Sequence, residues 1–253
     1  MAELIELGIS SIHDIPSDYP LSPRQRRACD TVQADRPWFG EGLKEELSAL
    51  AHPLFFMDFE TVYPALPRYS GMRPYDHIPF QWSVHVQRQP GAELEHFEFL
   101  AADDQDPRPA FLRPLCEVLG QSGHIVVYDR PFESERLADL ARWLPEFEGP
   151  IRSIESRLWD LLAVVRAHVY HPLFMGSFSL KSVLPALVPE MTYEGMEVAE
   201  GAQAGLAWDK MVRGQVDGAE RKRLRQALLA YCKQDTLALA RLLDSLQSGV
   251  ALR

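Results

Sequence analysis

The sequence predicts an α/β fold: a mixed sheet flanked by helices, with a short helical N-terminal arm. Three observations carry that expectation. Residues 54–59 form a continuous apolar run of strand length. Residues 80–87 and 93–100 alternate in character on either side of Pro90-Gly91, as the two arms of a hairpin do. From His124 onward, strand-length and helix-length segments alternate, so an antiparallel meander is followed by crossover units.

In chain order, residues 4–15 and 42–51 read as short helical patterns separated by a polar stretch, and residues 1–50 as an arm. Residues 51–253 read as the main domain. Its elements are the strand 54–59, the hairpin 80–100, a helix over 111–119, a buried strand over 124–128 and a helix over 131–144. Further helices are expected over 154–168 and 179–187, with one long or two abutting helices over 219–247. The connection 61–79 exceeds the ~12–15 residues usual for a structureless loop. Its prolines and tyrosines speak for order, and it starts directly after Glu60.

The chain of 253 residues, 46% hydrophobic and 25% charged, has the balance of a water-soluble globular protein. Its first residues carry acids where a secretory leader carries bases, and its apolar runs are too short for a bilayer. Cys29, Cys116 and Cys232 are too scattered for a disulfide framework or a cysteine zinc site. The expected compartment is a reducing cytoplasm, with no membrane partner. The net charge of −10 runs against a nucleic-acid surface, unless bound divalent ions reverse the field around clustered acids.

Asp58 and Glu60 sit two apart on the first strand, so they project together while Phe59 points to the other layer. Two acids on a buried strand repel and lose hydration unless cations hold them. The plainer reading is a strand end reaching solvent. Tyr231 and Asp235 stand at i and i+4, stacked on one helical face; taken alone, a surface Asp beside a half-buried Tyr is the commoner outcome. Glu133 opens a helix after a strand, where α/β sheets place site residues, although Asp129 and Glu133 also read as a helix-capping arrangement. Arg221–Arg225 is either a phosphate-steering run or a solvated helix face. His168 and His171 read as a helix end before Pro172 rather than metal ligands. Trp82, Trp143, Trp159 and Trp208 read as core, and Tyr69 and Tyr75 as candidate base stackers.

Taken together, Met57-Asp58-Phe59-Glu60-Thr61, Tyr128-Asp129-Arg130-Pro131-Phe132-Glu133 and Tyr231-Cys232-Lys233-Gln234-Asp235 resemble the three motifs of the DEDD superfamily of 3′→5′ exonucleases. The third has the tyrosine spacing, because position 230 is Ala. Ser177–Leu184 resembles the Ser-Leu-Lys helix found between the second and third motifs. The resemblance implies an RNase H-like fold over about Pro53 to Leu246. Several longer stretches are similar to an uncharacterised bacterial family in which such a domain often follows an upstream nuclease-like region, implying a partner of that kind. Two departures stand out: Glu133 where many members carry Asp, and Asp129 where they carry Asn.

From the resemblance follow the expected activity and site. The chain would hydrolyse phosphodiester bonds from the 3′ end of single-stranded DNA or RNA, using two divalent cations, Mg²⁺ or Mn²⁺. Asp58 would bridge the ions, Glu60 and Asp235 would complete the nucleophile side, and Glu133 would support the leaving-group side. Tyr231 would orient the attacking water. Arg68, Tyr69, Arg73, Tyr75 and Lys181 would contact substrate, with the loop 61–79 clamping the terminal nucleotide. The alternatives are a catalytically silent nucleic-acid-binding or scaffold module, or an endonuclease with the same metal site. No dimerisation signature is evident, so a monomer is expected.

Overall fold

A computed structural model describes residues 2–251. The N-terminal region comprises α1 (Ala2–Glu6), α2 (Pro23–Gln33), β1 (Trp38–Phe39) and α3 (Leu43–Ser48). There follow β2 (Leu54–Val62), β3 (Ile78–Gln87), β4 (Leu94–Leu100), α4 (Arg108–Leu119), β5 (His124–Val127), α5 (Arg130–Trp143) and α6 (Glu148–Glu155). The remainder is β6 (Leu158–Asp160), α7 (Leu161–His168), β7 (Val169–Tyr170), α8 (Leu180–Leu187), α9 (Gly201–Val212) and α10 (Gly218–Ala251).

Five strands form one mixed sheet in the order β4-β3-β2-β5-β6. The meander β2–β3–β4 is antiparallel, and β5 and β6 run parallel to β2. β2 is therefore central, with both edges hydrogen-bonded, and its two faces are buried by different helices. Phe55, Met57 and Phe59 pack with Phe111, Leu115, Leu137, Leu140 and Ile154 from α4, α5 and α6. Leu54 and Phe56 pack on the opposite face with Leu161 and Val165 of α7 and Leu239, Leu242 and Leu243 of α10. Strand alternation then fixes the consequence: Asp58 and Glu60 share the face that α10 covers.

α10 is one continuous helix. Its buried stripe runs Leu228, Tyr231, Asp235, Leu239, Leu242, Leu246 at helical spacing. Asp235 thus occupies a core position. Each buried leucine contributes about 1.5–3 kcal/mol, enough in sum to hold the helix down over one unfavourable carboxylate.

Several elements depart from the sequence expectation. The helix expected over 154–168 is interrupted by β6, whose three residues pair with β5; an apolar stretch that short has no period to separate strand from helix. α9 is absent from the expectation because Gly201 and Gly205 lower its apparent propensity. A Cβ at Gly205 would sit 2.9 Å from Val62 Cγ1, so the glycine permits the close approach of α9 to β2. α2 falls in the stretch read as polar. It starts on a capping box, in which Ser22 Oγ accepts from Gln25 N and Gln25 Oε1 accepts from Ser22 N, with Pro23 in the first turn. The helical pattern at 4–15 resolves into α1 and a separate turn at Ile12–Asp14. β1 pairs with β7, and Leu43 and Leu47 of α3 join the core beneath α10, so residues 38–48 are packed onto the body of the protein. No described helix is long and apolar enough to cross a membrane.

Gly123 offers a direct test of the turn that delivers β5 beside β2. Its φ is +85°, and a Cβ there would fall 2.0 Å from Pro53 O. Gly123→Ala is expected to destabilise the fold by about 2–4 kcal/mol, through strain plus clash. Gly149→Ala in α6, with nothing within 4 Å, is expected to be neutral or mildly stabilising. Urea midpoints of the two variants check this.

Candidate metal centre

The acids predicted from the first and third motifs converge. Oxygens of Asp58, Glu60 and Asp235 lie within 4.8 Å of one another, a grouping that could hold a metal ion. β2 supplies two of them by its alternation and α10 the third from its buried stripe. Glu60 and Asp235 are 6% and 8% exposed, while Asp58 keeps a solvent-reaching edge. They open onto a cavity of about 310 Å³ that Tyr128, Lys181 and Tyr231 also line.

Burial pushes the Asp58 carboxyl well above the usual carboxylate range, and the Asp235 charge pushes it further; the Phe59 backbone N–H acts against this. Glu60 is raised in the same way, by burial first and then by Asp58 and Asp235, with Lys181 pulling it down. Asp235 is raised by burial to about 6. It is kept from rising further by the Tyr193 hydroxyl, which donates to Asp235 Oδ1 at 2.6 Å, and by Lys181 and the Tyr231 phenol. Three acids that resist ionisation at one point form a site short of positive charge.

Glu133 sits apart from the trio, in the first turn of α5, at 1% exposure. Burial, then the Asp58 charge, raises its carboxyl well above the ordinary range. Its Oε2 is buried without a hydrogen-bond partner among the described residues. Such an orphaned oxygen costs about 1–3 kcal/mol, more if charged, so a cation or proton there would be favourable. Asp129 does take the N-cap position of α5, but its side chain makes no capping bond. Its backbone is left-handed (φ 93°), a conformation that Asp and Asn tolerate better than most residues. Asp129 itself is exposed. The capping bond expected of Asp129 is therefore not made, whereas the Glu133 carboxyl accepts from its own backbone N–H in the first turn of α5.

Tyr231 is 5% exposed, and burial followed by the charges of Asp235, Glu60 and Asp58 raises its phenol above its ordinary value. Lys181 Nζ lies 5.4 Å from the ring centroids of both Tyr231 and Tyr193 and donates to Ala199 O. It is the basic group that lowers both Glu60 and Asp235. Two contributors were not anticipated from the sequence. Tyr193 lies in the connection between α8 and α9, with no local pattern to mark it. Cys232 Sγ is 4.0 Å from Asp58 Oδ2, and burial raises its thiol.

The remaining substrate-contact expectations divide. Thr61, Val62, Tyr63 and Pro64 do border the acids: with Glu60, His77 and Phe132 they line a neighbouring cavity of about 600 Å³. Arg68 also lines it, yet its guanidinium is engaged by Asp104 and Asp209 and packs over Trp208. Tyr69 lies against Arg68 and Arg108, its hydroxyl buried without a partner among the described residues, and so does not present a free stacking face. Arg73 and Tyr75 are exposed and line neither cavity. Contacts within the protein occupy much of the basic run 221–225: Arg221 donates to Ala102 O, Arg223 pairs with Glu197 and Glu220, and Arg225 reaches Leu100 O. Trp82 and Trp208 are core residues whose indole N–H groups donate to Phe111 O and Ala101 O.

A family model described as a domain of unknown function (DUF2779) matches residues 55–179 of the chain. The matched stretch holds Asp58, Glu60 and Glu133 and ends before Tyr193, Tyr231 and Asp235. No curated protein and no solved structure matches the chain.

The electrostatics set a pH dependence. Because the folded-state values of these carboxyls exceed their unfolded values of about 4, the folded chain binds more protons than the unfolded one. Stability without metal is therefore greatest below about pH 4 as far as these groups are concerned. It falls as pH rises through about 6 for Asp235, and further as Asp58 and Glu60 ionise. In EDTA, moving from about pH 5 to about pH 7.5 should cost on the order of 1–3 kcal/mol. Asp58→Asn should flatten that slope in urea-midpoint measurements.

Proposed function

We propose that the chain is a metal-dependent nuclease that removes nucleotides from the 3′ end of single-stranded nucleic acid. The observation that carries this reading is the convergence of Asp58, Glu60 and Asp235 within 4.8 Å beneath an open cavity, with the unpartnered Glu133 Oε2 on a carboxyl that feels the Asp58 charge. The motif resemblance supplies the reaction class. The mixed sheet flanked by helices is consistent with the RNase H-like fold that the resemblance implies.

The donor set fits hard divalent ions. It is all oxygen, carries several negative charges and has one lysine within electrostatic reach. Asp58, Glu60 and Asp235 would hold one ion, and Asp58 with Glu133 a second. Bound Mg²⁺ or Mn²⁺ would neutralise the acids and stabilise charge on both the attacking and departing oxygens of an in-line displacement. The protein groups have separate tasks. Tyr193 holds Oδ1 of Asp235 and so fixes the direction of the carboxyl. Tyr231 keeps its proton, so its hydroxyl serves to orient a water rather than to deprotonate it. Lys181 offers the positive charge that draws a phosphate toward an acidic pocket. The wall formed by Tyr63, His77 and Phe132 beside Glu60 offers aromatic surface for the terminal nucleotide.

The test uses 5′-labelled single-stranded DNA and RNA in Mn²⁺, Mg²⁺ or EDTA, with circular single strands alongside. Expected is a metal-dependent ladder shortening from the 3′ end and no cutting of circles. Asp58→Ala or Asp235→Ala should abolish it, while Tyr231→Phe should keep residual activity, reduced about 10²-fold. Cleavage of circles would assign an endonuclease instead. No cleavage with any metal would point to a nucleic-acid-binding module.

A further inference from the structure

A third cavity, about 720 Å³, lies between the β3–β4 hairpin and α10, and it shares no lining residue with the acid cavity. Its helix wall presents Lys233, Leu237, Arg241 and Asp244, which recur at helical spacing on one face. Its polar floor is the pair His85 and His96, with ring centroids 4.5 Å apart.

That floor is built rather than incidental. His85 is 3% exposed, and its Nδ1 is held at 2.8 Å by Thr236 Oγ1. His96 Nε2 is 2.9 Å from Ser83 Oγ, and Ser83 Oγ is 2.8 Å from Thr236 Oγ1, so one hydroxyl pair orients both rings. Each ring keeps its other nitrogen. His85 Nε2 has no hydrogen-bond partner among the described residues, and His96 Nδ1 has only Glu98 at 3.9 Å. His85 is buried and His96 half-buried, and both line the cavity, so the pair offers two ring nitrogens to a ligand seated there.

The charges are arranged by polarity along the helix. The Lys233 side chain has no ion pair or hydrogen bond among the described residues, in a chain of net charge −10; its backbone carbonyl accepts from Thr236 Oγ1 at 3.2 Å. Arg241, two turns on and about 12 Å away along the axis, is balanced by Asp244 at 3.6 Å. Between them Leu237 faces Leu94 across the cavity lining. One end carries Lys233, the middle is apolar, and the rest of the lining sets Arg241 against the acids Asp244 and Glu93. The volume is that of a small-ligand site.

We propose that this cavity binds a nucleoside-monophosphate-like ligand, its phosphate at Lys233 over the histidine pair and its body along Leu237 toward Arg241 and Asp244. The phosphate could come from a free mononucleotide or from a nucleic-acid strand, and the free ligand is favoured because Arg241 is neutralised instead of continuing a cationic track.

The experiment is isothermal titration in EDTA, which removes any metal contribution from the acid cavity and needs no catalysis. The probes are a nucleoside 5′-monophosphate, inorganic phosphate and a 5′-hydroxyl single-stranded oligonucleotide. Expected is saturable binding of the monophosphate, weaker binding of inorganic phosphate, and at least tenfold loss of both in Lys233→Ala. Arg241→Ala should weaken the monophosphate and leave inorganic phosphate unchanged. Histidine ring resonances of the wild type should shift with the monophosphate. Lys233 is an exposed helix residue, so its variant should remain folded, as circular dichroism checks. Absence of binding, equal affinity in Lys233→Ala, or Lys233-dependent binding of the oligonucleotide alone would each overturn the proposal.

Discussion

Three carboxylates held together under a helix, with one lysine as the basic group acting on them, form the constraint around which the rest of this structure is arranged. Burying even one charge without compensation costs several kcal/mol. Here two acids lie on the central strand and a third in the apolar stripe of the helix that covers it. The surroundings answer that cost in part. Tyr193 donates to Asp235, Lys181 lowers Glu60 and Asp235, and a backbone N–H acts on Asp58. The help falls short, since all three acids stay raised, and Glu133 keeps an oxygen with no partner among the described residues.

That shortfall shapes the remainder of the fold. β2 must be central, because only there do flanking strands and two helical layers fix the directions of Asp58 and Glu60. α10 must be long and firmly seated, because Asp235 opposes its docking. The leucines on either side of Asp235 supply that seating, and Leu43 and Leu47 extend the same core from the N-terminal region. The connection after β2 is tied down by Thr61 to His77 at 2.8 Å and by Arg68 to Asp104 and Asp209. The cavity edge next to Glu60 is therefore firmly held.

The fold class was legible because strands and amphipathic helices carry their periods locally: β2, the β3–β4 hairpin, α4, β5 and α5 sit where the sequence places them. Asp58 and Glu60 were legible for the same reason, as a strand of known face direction. Asp235 was stronger in the sequence than the Tyr231 pair alone suggested, because a carboxylate inside the stripe Leu228–Tyr231–Leu239–Leu242 occupies a core position. Tyr193 was not legible. It comes from a connection with no period, and only tertiary packing brings it to Asp235. Arg68 and Tyr69 misled because arginine and tyrosine near an acidic motif suit phosphate and base, whereas here they bind Asp104, Asp209 and Arg108. Side-chain engagement of that kind is a property of the folded surface, and no local pattern announces it.

The most direct test of the central claim is an anomalous difference map from crystals grown with Mn²⁺. The account predicts a peak bound by oxygens of Asp58, Glu60 and Asp235 at about 2.0–2.3 Å, with Tyr193 still on Asp235. A map with no peak, in which the three carboxyls instead share protons and hydrogen-bond to one another, would contradict it.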